Sequence, residues 1–246
     1  MDTSFYTAVS GVISQQKKMD VISNNLANVN TTGFKTKNAV FYELINYNLR
    51  DLQETQISLQ AGSGITLGRT DTSYAQGGIQ NTGISTQYAI SGRGFFMLED
   101  PNTSEITYTR NGNFYWSERQ DGFYLTTDAG KLVLDGQQRP IVVTNAQIEA
   151  ARLGEETEAA ALPGIYEFPV ERGLANVGDS EFAAGPHNGQ PALAEDARLM
   201  EGYLEQSNVN LADEMAKTVE ASRAYSYMLK MVQTADEVEQ TINSLR

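Results

Sequence analysis

Cysteine is absent from this chain, histidine and tryptophan occur once each, and proline only six times. Without thiols there is no disulfide framework, no thiol nucleophile and no cysteine-ligated zinc. The single histidine, His187, lies in Gly185-Pro186-His187-Asn188-Gly189. Turn formers surround it, so it is expected on an exposed loop, and alone it cannot build a tetrahedral metal site. Basic residues are also scarce: 18 Lys and Arg stand against 31 Asp and Glu, a formal charge of −13. A chain this acidic gains nothing from counterion release on nucleic acid, and no polybasic run would hold an anionic membrane surface. No stretch approaches the roughly 20 apolar residues of a membrane-spanning helix. The start, MDTSFYTAVSGVISQQKKMD, has no basic segment followed by an apolar run, so a cleaved secretory signal is not expected. The expected partners therefore include neither nucleic acid nor a membrane core.

Catalytic patterns are equally thin. Ser14-Gln15-Gln16-Lys17 matches the Ser-x-x-Lys spacing of serine acyl-enzymes, but the Ser-Asp-Asn and Lys-Thr-Gly segments that complete such a site do not occur. Gly62-Ser63-Gly64-Ile65-Thr66-Leu67-Gly68 is glycine-rich yet lacks both phosphate-loop spacings, and no helical pattern follows it. Paired carboxylates such as Glu155-Glu156 and Asp236-Glu237 sit in no motif that implies a shared proton. No catalytic, cofactor-binding or metal site is assigned, and the chain is read as a non-enzyme.

Against these absences stand 246 residues, 40% of them hydrophobic, with 21 glycines. Both ends are helical in pattern. Phe5, Val12, Met19 and Leu26 recur every seven residues, and Ala8, Gln15, Ile22 and Val29 form a second series three places on. This helix is expected to stop near Asn30-Thr31-Thr32-Gly33. At the other end Ala221, Met228, Ala235 and Ile242 form one apolar series and Ala224, Met231, Val238 and Leu245 the other. The spacing fits a coiled-coil seam or an amphipathic helix packed on its own domain. Burial of one such seam does not offset the backbone entropy of ordering a solitary helix, so neighbouring chains are expected to help.

The middle changes period from about residue 60 to 190. Ala89 to Leu98 reads as one strand with a glycine-marked bulge or bend. Ile106 to Arg110 alternates, Asn111-Gly112 supplies a turn, and Phe114-Tyr115-Trp116 returns. Phe123–Thr127, Lys131–Asp135 and Ile141–Thr144 continue the series, and a brief strand is expected at Tyr166-Glu167-Phe168. Residues 149–162 read as a short helix or an insertion loop. The expected fold is α+β, with N- and C-terminal helices pairing in a coiled-coil-like rod domain around a central, mainly antiparallel β-domain. The expected divisions are 1–46 (helix and motif segment), 47–84 (extended connector), 85–195 (β-domain) and 196–246 (C-terminal helix).

Asparagine at several positions of one helix is unfavourable unless contacts justify it. The segment Asp20-Val21-Ile22-Ser23-Asn24-Asn25-Leu26-Ala27-Asn28-Val29-Asn30-Thr31-Thr32-Gly33-Phe34-Lys35, with Ser10-Gly11 upstream, resembles the N-terminal signature of the flagellar rod and hook family. Gly92-Arg93-Gly94-Phe95-Phe96 with Tyr108-Thr109-Arg110-Asn111-Gly112-Asn113-Phe114 is similar to the start of that family's β-domain. Gly202 to Asn210, Glu214-Met215 and Arg223-Ala224-Tyr225 are similar to its C-terminal signature. Order and length are most similar to the distal rod member, with the proximal rod or a short hook-type member as the alternative. The resemblance implies a structural, self-assembling subunit of a helical tubular shaft that carries motor torque. It implies copies of itself, other rod and hook proteins and the flagellar export apparatus as partners, and export to the basal body without a cleaved signal.

On that reading the subunit interface draws on Ser10, Gly11, Met19, Ile22, Asn24, Asn25, Leu26, Asn28, Gly33 and Phe34. From the C-terminal side it draws on Ser207, Asn208, Val209, Met228, Met231, Val238, Ile242 and Leu245. Asn24, Asn25 and Asn28 are expected either to fix register by amide bonds between subunits or to face a water-filled lumen. Two other classes are weighed. A wall hydrolase would need a carboxylate cleft, and a secreted β-rich binding module would leave the heptad-bearing ends unexplained.

Overall fold

The computed structural model describes residues 3–44, 47–50, 59–119, 122–144, 161–194 and 196–245. The expectation for 149–162 falls almost wholly outside them. The chain forms two compact units, one from residues 1–27, 37–73 and 210–246, the other from 28–36 and 74–209.

The first unit holds both long helices. Helix α1 spans Thr3–Ala27, and α2 spans Leu211–Ser244. Helix α2 contains neither glycine nor proline. Its N-cap, Asn210, accepts from the Ala212 N–H at 3.1 Å, and Asp213 and Glu214 sit in the first turn, where the helix dipole favours them. The helices run antiparallel: Asn25 meets Glu214, Lys18 faces Glu220, and Gly11 abuts Met228. Among the described side chains of α1, Gly11, Ser14, Ile22 and Asn25 are the buried positions.

Strands β1 (Lys37–Glu43) and β4 (Ile65–Thr72) pair antiparallel in the same unit. A separate two-stranded pair is formed by β2 (Tyr47–Arg50) against β3 (Leu59–Ala61). The stretch read as a connector thus begins as strand pairing. Helix α1 holds the β1–β4 pair directly, because Ser14 donates its hydroxyl to the Ile65 carbonyl at 2.9 Å.

The second unit is β-rich. Short strands β5 (Ile79–Asn81) and β6 (Tyr88–Ser91) precede β7 (Phe95–Glu99) and β8 (Ile106–Thr109). Next come β9 (Tyr115–Arg119), β10 (Gly122–Thr126), β11 (Leu132–Val133), β12 (Val142–Thr144) and β13 (Ile165–Glu167). The series ends with β14 (Ala175–Gly178), β15 (Glu181–Ala183), β16 (Ala192–Leu193), β17 (Arg198–Glu201) and β18 (Tyr203–Glu205). Ten of them form one antiparallel sheet ordered β12-β10-β11-β7-β8-β15-β14, with β9 on β10, β13 on β7, and β16 on β13. Its centre is β7. Phe96 and Leu98 enter one apolar cluster with Phe114, Leu125 and Ile141, while Phe95 and Met97 enter another with Tyr108, Phe168 and Phe182. A strand alternates sides every residue, so burial on both faces makes β7 continuously apolar.

Two sequence expectations change here. Residues 89–98 are two strands: Gly92 and Gly94 take φ of 114° and 122°, a region side chains disfavour. The chain turns there, so β6 leaves to pair with β17 while β7 enters the large sheet. Nor does Asn111-Gly112 close a hairpin. Strand β8 pairs with β7 and β15, and β9 pairs with β10. Gly112 instead lies against the backbone of Tyr88, whose N–H donates to the Gly112 carbonyl at 3.0 Å.

Candidate functional site: the signature junction and the open helix face

The N- and C-terminal signatures meet inside the β-rich unit. Gly33 donates its N–H to the Glu205 carbonyl at 2.8 Å, and the Asn208 N–H reaches the Phe34 carbonyl at 3.3 Å. The Asn208 side-chain oxygen accepts from both the backbone N–H and the hydroxyl of Thr36, at 2.7 and 2.6 Å, while its amide donates to the Ala75 carbonyl. Thr32 donates to Asn111 at 2.8 Å. Gly33 has φ of 67°, and a Cβ there would lie 2.5 Å from the Asn111 nitrogen. Both the left-handed backbone and the close approach exclude other residues, which explains glycine at this place in the motif.

Beneath this junction lies a buried charge cluster. The Glu205 and Lys35 side chains are 0% exposed and that of Arg110 is 3% exposed. Glu205 Oε1 accepts from Lys35 Nζ at 2.6 Å and from the Gly77 N–H at 2.8 Å, and Oε2 accepts from Arg110 Nη1 at 3.1 Å. Lys35 also donates to the Ala75 carbonyl, and Arg110 donates to Gly92 and lies 5.5 Å over the Phe95 ring. One carboxylate thus serves two cations, an arrangement that survives burial only because its lone pairs are satisfied. Burial holds the Lys35 ammonium below the usual lysine range, against the opposing pull of Glu205. The cluster ties residues 35, 77, 110 and 205 at one point.

In the helical unit, Asn25 is buried and fully engaged by its own chain. Its Oδ1 accepts from the Lys37 N–H at 2.9 Å; its Nδ2 donates to the Lys37 carbonyl at 2.8 Å and to Glu214 Oε2 at 3.1 Å. The amide imitates a strand partner for the first residue of β1. Ser10 donates to the Thr7 carbonyl, and Ile22 is buried. Met19, Leu26 and Met228 are half-buried, and Asn24 is exposed. In the β-rich unit, Asn28 accepts from Thr31, Ser207 accepts from the Val209 N–H, and Phe34 and Val209 are buried.

Other parts of the α2 surface are left uncovered. Met215, Val219, Tyr227, Met231, Val238 and Ile242 are each more than half exposed, and Leu245 is 84% exposed. Of the two seven-residue series, Ala221 is buried, and Ala224, Met228 and Ala235 are half-buried. Met231, Val238, Ile242 and Leu245 are not covered, and Val232 takes the inward place beside Met231. The antiparallel contacts Asn25–Glu214, Lys18–Glu220 and Gly11–Met228 set the start of α1 level with residues 235 and 236, so Val238, Ile242 and Leu245 lie beyond its described residues.

Sequence reasoning missed Lys35, Arg110 and Glu205 as one buried cluster of the β-rich unit and, in the helical unit, Glu214 as a partner of Asn25. His187 is exposed. Among the described residues, no group of three His, Cys, Asp or Glu side chains is placed to hold a metal.

Paired terminal helices in one unit, and in the other an antiparallel β-rich body that contains a glycine-locked junction between the two signature segments, define the structural class to which the comparisons then give a family. Three family descriptions match the chain: "Flagella basal body rod protein" at residues 5–35, "Flagellar hook protein FlgE/F/G D1 domain" at 89–155, and "Flagellar basal body rod FlgEFG protein C-terminal" at 200–245. The flagellar basal-body rod protein FlgG of Borreliella burgdorferi is 33% identical over 100% of this chain and 99% of its own length. FlgG of Buchnera aphidicola subsp. Acyrthosiphon pisum is 32% identical over the whole of both chains. The rod protein FlgF of Rhizobium meliloti is 28% identical over 96% of this chain and 94% of its own. The chain belongs to the flagellar basal-body rod family, a family of structural proteins.

Proposed function

We propose that this chain is a distal-type rod subunit that adds to copies of itself and to other axial flagellar proteins, forming a helical tubular shaft that carries torque toward the hook. The observation that carries this reading is the apolar surface that α2 leaves uncovered within one chain, above all Met231, Val238, Ile242 and Leu245 toward its end. Contacts that are heterologous and do not close generate a continuing helix, and an open helix face on every copy suits that arrangement. On this reading the seam begun by α1 and α2 is completed, in coiled-coil fashion, by neighbouring subunits. The junction residues Gly33, Phe34 and Ser207 to Val209 then act by holding the two chain ends together, and Met231, Val238, Ile242 and Leu245 touch the neighbour directly. Delivery uses the flagellar export apparatus without cleavage of the chain's start, and the place of work is the basal body. Deletion of the gene followed by electron microscopy of purified basal bodies tests the reading. Loss of the rod beyond its inner part, restored by the full chain and not by a chain ending at residue 235, is the expected result. Complete hook-bearing basal bodies without the chain would refute it.

A further inference from the structure

Resting on the rod reading, we infer that the last turns of α2 dock against the outward face of α1 in the next copy of this chain, in a register twelve residues displaced from the pairing inside one chain. Within the chain, the contacts Asn25 with Glu214, Lys18 with Glu220 and Gly11 with Met228 pair positions whose numbers add to 238 or 239. That register sets Thr3, where the described part of α1 starts, level with residues 235 and 236. Helix α2 runs on to Ser244, about 13 Å further at 1.5 Å per residue. This tip exposes Val238 (53%), Ile242 (59%) and Leu245 (84%).

The complementary surface is on α1. Its exposed positions, among them Tyr6, Ile13, Lys17 and Asp20, share the face turned away from Gly11, Ser14, Ile22 and Asn25. Tyr6 and Ile13 are 56% and 49% exposed and seven residues apart, the same separation as Val238 and Leu245. Laid antiparallel, Leu245 falls beside Tyr6 and Val238 beside Ile13, with Ile242 between them. Charge follows the same register. Asp236, Glu237 and Glu239 are exposed, and no base lies between Lys230 and Arg246. Lys17 then stands within one turn of Glu237, and Asp20 lies beyond the matched stretch. The antiparallel sense is the one produced by a second copy displaced sideways as well as along the axis, without inversion, since each copy already holds its own helices antiparallel. The offset between copies is about 18 Å along the helices.

The absence of cysteine makes the test clean. In one chain, Ile13 lies level with residues 225 and 226, about 18 Å from Val238 along the helix, far beyond the roughly 7 Å Cα separation a disulfide spans. A chain carrying Ile13→Cys and Val238→Cys can therefore close that bond only between copies. Basal bodies purified from cells expressing it, oxidised and run without reductant, are expected to give a ladder of dimers and higher multimers that collapses on reduction. Tyr6→Cys with Leu245→Cys is expected to do the same. Lys18→Cys with Glu220→Cys, the in-chain control, is expected to yield only cross-linked monomer. Rods that contain both interchain variants yet give monomer alone, or that cross-link only through the off-register Lys17→Cys with Leu245→Cys pair, overturn the docking and leave the rod reading intact. Absence of the wild-type chain from basal bodies overturns both.

Discussion

Replacing Glu205 by glutamine isolates the energetics of the junction. The change is nearly isosteric and retains a side-chain oxygen for the Gly77 N–H and for Lys35 Nζ, which sit 2.8 and 2.6 Å from Oε1. What it removes is the negative charge bonded to the two buried cations Lys35 and Arg110. Taking one partner from a buried ion pair costs about 3–5 kcal/mol, because the remaining charge is left without water or counter-charge. With a urea dependence of about 2 kcal/mol per molar, the midpoint falls by roughly 2 M. Trp116, the single tryptophan, lies on β9 in the same unit and reports the transition by fluorescence. The sign of the pH effect follows from Lys35. Its folded-state pKa is already below the ordinary lysine value, so between the two values the unfolded chain binds more protons and stability rises with pH. Loss of Glu205 removes the attraction that opposes this lowering, so the deficit of the Glu205→Gln chain narrows as pH climbs toward the lysine range. Adding Lys35→Met to Glu205→Gln removes one of the stranded cations and is expected to recover part of the loss, giving a large coupling energy in a double-mutant cycle. A cost under about 1 kcal/mol for Glu205→Gln, or strict additivity of the two changes, would refute the view that this cluster fastens the chain ends.

Other perturbations have equally definite outcomes. Asn25→Ala raises the intrinsic helicity of α1 by about 0.5 kcal/mol yet lowers stability by about 1–3 kcal/mol, since Lys37 and Glu214 lose their buried partner; an unchanged thermal midpoint would contradict this. Gly112→Ala places a Cβ 1.7 Å from the Tyr88 carbonyl oxygen, so the variant is expected to be protease-sensitive across 85–119, as limited digestion would reveal. Burial alone would push Asp135 up, but the Arg139 and Gln137 N–H groups and the Arg139 guanidinium outweigh it and hold the carboxyl below its usual range. Its contribution is present above the ordinary carboxylate pKa and lost as pH falls through the folded value, so Asp135→Asn is expected to flatten acid unfolding curves in that window. Phe96→Ala empties the centre of one apolar cluster and is expected to cost about 3–5 kcal/mol in denaturant titration.

Local chemistry reached far into this fold. A run of 34 residues without glycine or proline, capped by Asn210, makes α2 a helix in any surroundings that cover one side of it. The apolar doublets of β7 demand a strand buried on both faces, and Gly33 demands a backbone that only glycine adopts without strain. Those features, with the Asn-Asn-Leu-Ala-Asn block, carried the family and the α+β class. They did not say that Gly92 and Gly94 would send two halves of one apolar run into different sheets, because a strand's partner lies far away in sequence and is chosen by packing. They did not say that Asn25 would be satisfied inside its own chain, 12 residues from Lys37 and 189 from Glu214. Nor did they reveal that Lys35, Arg110 and Glu205 share one buried point, since three ordinary surface-type charges look alike until the fold removes their water. Periodicity established that α2 has apolar positions; only the tertiary structure decided which of them α1 covers, because the shorter α1 is fixed in register by Asn25–Glu214 and Gly11–Met228 and its described residues start level with about residue 236, leaving the last turns of α2 open.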